Sequence, residues 1–244
     1  MAPWYEESFG EDYVLVYRHR DRVHADREIR QVAQWLNLEP GQTVLDLCCG
    51  TGRHSIALHR LGFQVTGLDL SEVLLEYARK ASEGLGIRYI QGDMRHLPFD
   101  ADQFDAVVNL FTSFGYFVED EENGQVLKEM ARVLRPEGRF VVDFLNREAV
   151  KRNLVPESER VEGETRIRER RWIDGDFVRK SIQVIDERGE RMYQERVKMY
   201  SREQMEDMMR KAGLTVESVW GDFESRSYDP ISSPRMIFVG RLAL

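Results

Sequence analysis

The chain is nearly without cysteine, has no long apolar run and carries no basic excess, and each shortage removes a class of protein. Its two cysteines, Cys48 and Cys49, are adjacent. Neighbours of this kind offer neither an ordinary structural disulfide nor the spaced ligands of a metal cluster, so no metal is expected. Such usage fits a reducing, cytoplasmic setting. Nothing approaches the roughly 20 consecutive apolar residues of a membrane helix. The first ten residues carry acidic Glu6 and Glu7 where a secretory leader is basic, and no apolar stretch follows, which argues against export. The protein is therefore expected to be soluble. A net charge of −8 argues against a nonspecific grip on polyanions, so neither nucleic acid nor membrane is an expected partner.

What is present is an ordinary globular composition: 42% hydrophobic and 32% charged residues over 244 positions, enough for one α/β domain with an insertion. Apolar runs at Thr43 to Cys48, Gln64 to Asp69, Ile87 to Gly92, Phe104 to Leu110 and Gly138 to Phe144 read as strands. Between them, Arg53 to Arg60, Ser71 to Glu83 and Glu121 to Leu134 place apolar residues three and four apart, as amphipathic helices do. Ser71 suits the cap of the second helix, and Pro136 with Gly138 ends the third. This alternation is the pattern of βαβ units in a parallel sheet.

After Asn146 the pattern changes. Thr165 to Ile173, Phe177 to Ile185 and Met192 to Tyr200 alternate polar with apolar, with Asp174-Gly175 and Arg188-Gly189 as tight turns. Residues 147–200 thus read as an antiparallel insertion. Glu203 to Ala212 then reads as a helix, followed by strands Thr215 to Trp220 and Met236 to Arg241, so residues 39–146 and 201–244 form the main domain. Ahead of it, residues 1–38 hold a helix at Val23 to Leu36 and an aromatic opening with Trp4, Tyr5, Phe9, Tyr13 and Tyr17. That opening serves either as a lid over a site or as a clamp on the core.

The strongest chemical signal is Asp46-Leu47-Cys48-Cys49-Gly50-Thr51-Gly52, a buried strand running through glycines into a helix. Such a loop presents backbone amides and a helix N-terminus to a ligand. Asp69 ends the next strand about 20 residues on, where a carboxylate accepts from ribose hydroxyls. Gly92-Asp93-Met94 ends the third strand and Asn109 the fourth. Each of these alone suits a cap or turn, but four in order at one end of a sheet mark a nucleoside site. A nicotinamide or flavin dinucleotide is the alternative. Against it stand Ser55 where a third glycine belongs and Asp46 beside the loop, a charge that repels a pyrophosphate and suits an ammonium and a sulfonium.

With Gly67-Leu68-Asp69-Leu70-Ser71, Gln91-Gly92-Asp93-Met94, Phe104-Asp105-Ala106-Val107-Val108 and Leu134-Arg135-Pro136-Glu137-Gly138, these motifs resemble those of class I S-adenosylmethionine-dependent methyltransferases over about residues 40 to 145. The resemblance implies a doubly wound, mostly parallel seven-stranded sheet with an antiparallel final strand. It implies S-adenosyl-L-methionine as cofactor, with Gly50 and Gly52 at the methionine part, Asp69 on the ribose, Leu70 and Met94 flanking the adenine and Asp93 near its amino group; Asp46, Cys49, Thr51 and Gly92 are also expected to bind the cofactor. Asn109 and Tyr17 complete the expected cofactor set. Asn109 to Tyr116 is similar to the corresponding loop of small-molecule N-methyltransferases of the amino-sugar and glycine type.

Methyl transfer from a sulfonium is an in-line displacement that mainly needs positioning and exclusion of water. If a base assists, Tyr116, Tyr13 and His96 are the candidates, in that order. His54 is expected only to pack. Arg166, Arg168, Arg170, Arg171, Arg179 and Lys180 form a basic cluster interleaved with Glu162, Glu164 and Glu169. It reads either as the wet face of a sheet, or as a contact for an anionic acceptor or a second copy. The expected partner is a small-molecule acceptor, and the chain is a monomer or homodimer. RNA or protein methylation remains the alternative; an Asn-Pro-Pro-Tyr type of loop for base methylation is absent after Asn109, where Leu110 and Phe111 follow.

Overall fold

In the computed structural model, which describes residues 3–18 and 22–243, two short helices, α1 (Trp4–Glu7) and α2 (Glu11–Val16), precede the long helix α3 (Arg22–Leu36). Of the opening segment Met1 to Arg22, residues 1, 2 and 19–21 lie outside the described residues. Then β1 (Thr43–Leu47), α4 (Arg53–Arg60), β2 (Gln64–Asp69), α5 (Glu72–Ala81), β3 (Arg88–Gln91), β4 (Phe104–Asn109), α6 (Asp120–Val133) and β5 (Leu134–Leu145) follow. The insertion contains α7 (Arg147–Asn153), β6 (Glu157–Glu162), β7 (Thr165–Asp174), β8 (Phe177–Asp186) and β9 (Gly189–Lys198). The chain then returns through α8 (Arg202–Lys211), β10 (Leu214–Trp220) and β11 (Arg235–Leu242).

The first sheet has the order β10-β11-β5-β4-β1-β2-β3, parallel except for β11, which runs antiparallel to both its neighbours. The expected doubly wound seven-stranded sheet is therefore what forms. Its central strands β1 and β4 are buried along nearly their whole length because helices cover both faces, which is why they read as continuous apolar runs. Helix α5 shows the matching helical logic. Ser71 accepts from the Leu74 amide, while Leu74, Leu75 and Ala78 bury one face. The chain winds outward from β1 in both directions, to β2 on one side and β4 on the other. The loops after these two strands must part, and they open a crevice at the strand C-termini.

The second sheet, β6-β7-β8-β9, is antiparallel throughout. Its inner face, with Ile167, Ile182 and Val184, packs on Val16, Leu15 and Tyr17 of the opening segment. Each fully buried aliphatic chain there contributes roughly 1.5–3 kcal/mol. The insertion and the N-terminal helices therefore fold as one layer.

Three local expectations shift. The β7–β8 turn is Gly175-Asp176 rather than Asp174-Gly175, because Asp174 already pairs with Phe177 and only Gly175 adopts a positive φ, +59°. Likewise Asp186 pairs with Gly189, which moves the next turn to Glu187-Arg188. Helix α6 ends at Val133, with Leu134 paired to Phe104 and a break in register before Arg139, so Pro136 and Gly138 sit in a kink of β5 rather than at a helix end. Helix α7, capped by Asn146 accepting from the Glu148 amide, and strand β6 had no clear periodic signal.

Candidate functional site

The loop leaving β1 is built from left-handed residues: Cys48 has φ +64°, Gly50 +54° and Gly52 +74°. At Gly52 a Cβ would stand 2.5 Å from the Tyr89 hydroxyl and 2.9 Å from the Ala78 Cβ, so this position admits no side chain. The turn brings the Gly50 amide to Asp69 Oδ2 at 2.8 Å, while the Ser71 amide donates to Oδ1 at 2.9 Å. Two strand tips are thereby tied through one carboxylate. Asp69 is 8% exposed, and burial pushes its carboxyl up to about 6 against the pull of these amides. Its remaining lone pairs are available to hydroxyl donors.

Two adjoining cavities meet at this loop. The smaller, about 70 Å³, is walled by Asp69, Leu70, Gly92, Asp93 and Met94 from the strand tips and by Tyr5, Leu74 and Phe117 around them. The larger, about 370 Å³, runs along Cys49, Gly50, Thr51, Arg53 and His54 to Glu195 and Val197 of β9 and to Arg235. Phe9, Tyr13, Cys48, Gly50, Ser113 and Tyr116 line both, so the two form one continuous crevice. It lies where the sheet order reverses.

The aromatic opening segment faces this crevice. Trp4 meets Tyr116 edge-on at 4.9 Å between ring centroids, Phe9 stacks on Tyr116 at 5.9 Å, and Tyr13 lies against Tyr17 at 4.6 Å. The segment is anchored on both sides. Ser71 Oγ donates to the Phe9 carbonyl at 2.5 Å on the β2 side, and Ser8 Oγ to the Gln194 carbonyl at 2.6 Å on the insertion side. Asp12, 4% exposed, accepts from Arg191, Arg188 and Tyr193. Burial raises its carboxyl, but those three donors outweigh burial and hold it below the usual range.

The opposite rim is strained. Phe111 and Thr112 both adopt left-handed conformations, φ +60° and +59°, at a cost of order 1–3 kcal/mol each. Asp143, fully buried, holds them: Oδ2 accepts from the Phe111 amide at 2.8 Å, its backbone carbonyl from the Thr112 amide at 3.0 Å, and its carboxylate pairs with Arg235. Arg235 also donates to Thr112 Oγ1 at 3.0 Å. The Arg53 guanidinium sits 4.0 Å from the Phe111 ring centroid.

Of the residues expected from the sequence, Tyr13, Tyr17, Cys49, Gly50, Thr51, Asp69, Leu70, Gly92, Asp93, Met94 and Tyr116 come together on the crevice walls. Asp46, Gly52 and Asn109 do not. Asp46 is buried between β1 and α4, accepting from Ser55 Oγ at 2.6 Å, and burial lifts its carboxyl to about 6. It stands one residue short of the strand end, and successive side chains of a strand point to opposite faces. Gly52 caps α4, and Asn109 donates to the carbonyls of Leu47 and Ser113, bracing the two loops. Asp93 is engaged by Arg95, which overcomes the effect of burial and lowers its carboxyl.

Tyr116, first among the expected bases, stands on the crevice wall, and burial raises its hydroxyl well above 10, so it is a protonated hydrogen-bond donor at neutral pH. His96 does not line the crevice, whereas His54, expected only to pack, does. Its Nε2 lies 2.9 Å from Glu28 and burial holds the ring near 4, so it is neutral and must donate that proton to Glu28. Glu195 and Arg235 had no local signal at all; each arrives from a strand remote from the motifs. The basic cluster divides between two faces. Arg166 and Arg168 pair with Glu159 and Arg170 with Glu157, while Lys180 and Arg171 turn inward onto Glu169.

Comparison with known proteins agrees with this architecture. Residues 44–138 match the model of a methyltransferase domain family. The putative methyltransferase YqeM of Bacillus subtilis is 40% identical over 126 residues, half of this chain and 51% of that protein; the chain thus spans about half the length of such a curated relative. Over nearly the full chain, the CcbJ methyltransferase of Streptomyces caelestis superposes with a TM-score of 0.81 at 24% identity, covering 97% of this chain and 98% of that one. CalS10 of Micromonospora echinaspora, an amino pentose methyltransferase with S-adenosylmethionine bound, gives 0.70 at 24% identity, covering 96% and 97%. No helix among the described residues is long and apolar enough to cross a membrane. The chain carries a methyltransferase domain at residues 44–138, within the fold of the class I S-adenosylmethionine-dependent methyltransferases.

Proposed function

We propose that the protein is an enzyme that binds S-adenosyl-L-methionine in the smaller cavity and along the Cys49–His54 loop, and methylates a small-molecule acceptor held in the larger one. The observation that carries this reading is the continuous crevice: a narrow apolar end with a carboxylate at its mouth opens into a wider end ringed by aromatic and charged groups. The narrow end fits a nucleoside. Asp69 would accept from the ribose hydroxyls, Leu70, Leu74 and Met94 would pack on the adenine, and the glycine turn leaves room for the methionine arm. When bound, the cofactor supplies an electrophilic methyl on a sulfonium centre.

The residues of this chain do the rest. Trp4, Phe9, Tyr13 and Tyr116 cover the crevice and exclude water, which strengthens every charge interaction inside it. The Asp143–Arg235 pair holds the far rim rigid, so that donor and acceptor meet in a fixed line. The insertion, residues 147–200, supplies the acceptor wall through Glu195 and Val197. Calorimetry with S-adenosylhomocysteine tests the cofactor site, and saturable one-to-one binding is expected. Tight binding of NADH or FAD with no affinity for the sulfonium compound or its product would overturn the assignment.

A further inference from the structure

The charges of the larger cavity are not equivalent. Arg235 is paired with buried Asp143, and Arg53 lies 3.6 Å from Glu28. Arg18 reaches the cavity from an exposed position. Among the described residues Glu195 on β9 is the carboxylate that lines this cavity, and it accepts from a neutral donor, the Tyr17 hydroxyl, 2.5 and 2.7 Å from its two oxygens. Lys180 forms a longer ion pair with Glu195 at 3.9 Å, while its ammonium stands 2.7 Å from Glu169 and donates to the Tyr17 oxygen at 2.8 Å. Glu169 is itself only 7% exposed; burial works to raise its carboxyl, yet Lys180 and Arg171 hold it near 2. Arg160, 3.3 Å from Glu169, adds a third cation there, so Lys180 is shared between the two carboxylates, with the shorter contact to Glu169, and Glu195 turns its Tyr17-bonded carboxylate to a cavity ringed by Trp4, Phe9, Tyr13 and Tyr116.

A carboxylate among aromatic faces is a receptor for a cation, since the ring quadrupoles and the formal charge attract in the same sense. Methyl transfer creates such a cation. As an acceptor nitrogen uses its lone pair to form the new N–C bond, the C–S bond breaks with its electrons staying on sulfur. Once the amine has lost its proton to solvent and stands as the free base, the positive charge passes from sulfur to nitrogen with no further proton leaving in the transfer step. A neutral hydroxyl acceptor would instead have to give up its proton in the transfer step, leaving no cation on the product. We propose that Glu195, oriented by Tyr17, selects amine acceptors by stabilising the ammonium that forms on them.

This inference rests on the methyltransferase reading, and one calorimetric experiment separates the two. The intact protein saturated with S-adenosylhomocysteine is titrated with choline, a stand-in for the methylated ammonium, and with its neutral isostere 3,3-dimethylbutan-1-ol. Choline is expected to bind at least about tenfold more tightly, and Glu195→Gln to remove that preference while leaving S-adenosylhomocysteine affinity within about twofold. Equal binding of the two ligands, no choline binding, or an unchanged preference in Glu195→Gln overturns the role of Glu195. Failure of S-adenosylhomocysteine to bind instead removes the methyltransferase reading. Glu195→Gln keeps the Tyr17 contact, and its circular dichroism and melting profile confirm that it folds.

Discussion

Replacing Asp69 by asparagine separates what this carboxylate does for the cofactor from what it does for the fold. The side chain accepts from the Gly50 and Ser71 amides, one at each oxygen. A side-chain amide has one acceptor oxygen, so whichever way the substituted group turns, one of those N–H groups loses its partner, at about 1–3 kcal/mol. Against this stands the cost of the native charge. A carboxyl raised from 3.8 to about 6 is ionised at pH 7 at a penalty of roughly 3 kcal/mol, and the neutral amide does not incur it. The two effects offset, and the unliganded variant should melt within a few degrees of the native protein. Cofactor affinity has no such compensation. Two charge-assisted bonds to ribose hydroxyls become one neutral bond, a loss of about 2–4 kcal/mol, or about 30- to 700-fold in Kd. The pH signs also oppose. Because the folded pKa lies above the unfolded value, the folded state holds more protons between pH 4 and 6, and the contribution of Asp69 to stability falls as pH rises through that window. Cofactor binding uses the ionised form, so native affinity should instead rise with pH and level off above about 6. Calorimetry with S-adenosylhomocysteine at pH 5, 6 and 7.5 reads the affinity trend, and melting of the unliganded protein over the same range reads the stability trend. A variant within threefold of native affinity at pH 7.5 would refute the assignment of Asp69 to the ribose.

Gly52→Ala should cost more than about 2 kcal/mol in urea unfolding, since the residue has φ +74° and its Cβ would collide with Tyr89 and Ala78. Asp143→Asn removes the charge that balances Arg235 at a fully buried position, and a loss of about 3–5 kcal/mol is expected in the same assay. Asp12→Ala strips the contact to Arg188, Arg191 and Tyr193 that pins the opening segment. Hydrogen exchange of residues 3–18 should quicken by about tenfold or more while the central sheet keeps its protection. Tyr116→Phe should lower turnover by less than about tenfold without moving the pH–rate profile, because a hydroxyl raised by burial acts as a donor rather than a base; loss of a basic limb in that profile would contradict this.

The alternating strands and helices of the parallel sheet and the strand-tip residues of the narrower cavity were legible in the sequence because both depend on local pattern. Buried strands read as apolar runs, glycines mark the turn after β1, and parallel strands necessarily bring their C-terminal residues to one edge. Asp69, Gly92 and Asp93 therefore meet whatever the details of packing. Asp46 shows the limit of the same argument, for spacing placed it near the strand end, but a single step along a strand exchanges the two faces. The acceptor end was not legible. Tyr17 and Glu195 are 178 residues apart, and nothing near either of them specifies the other. Alternation in β7, β8 and β9 distinguishes two faces without saying which one meets the N-terminal helices, so Arg170 and Arg171 looked alike until packing put one in solvent and turned the other onto Glu169. Local sequence determined the strands of the parallel sheet and the residues at their tips that wall the smaller cavity. Only the docking of the insertion against the opening helices decided which charges face the larger cavity, because that choice depends on long-range burial of Val16, Ile167, Ile182 and Val184 rather than on any motif.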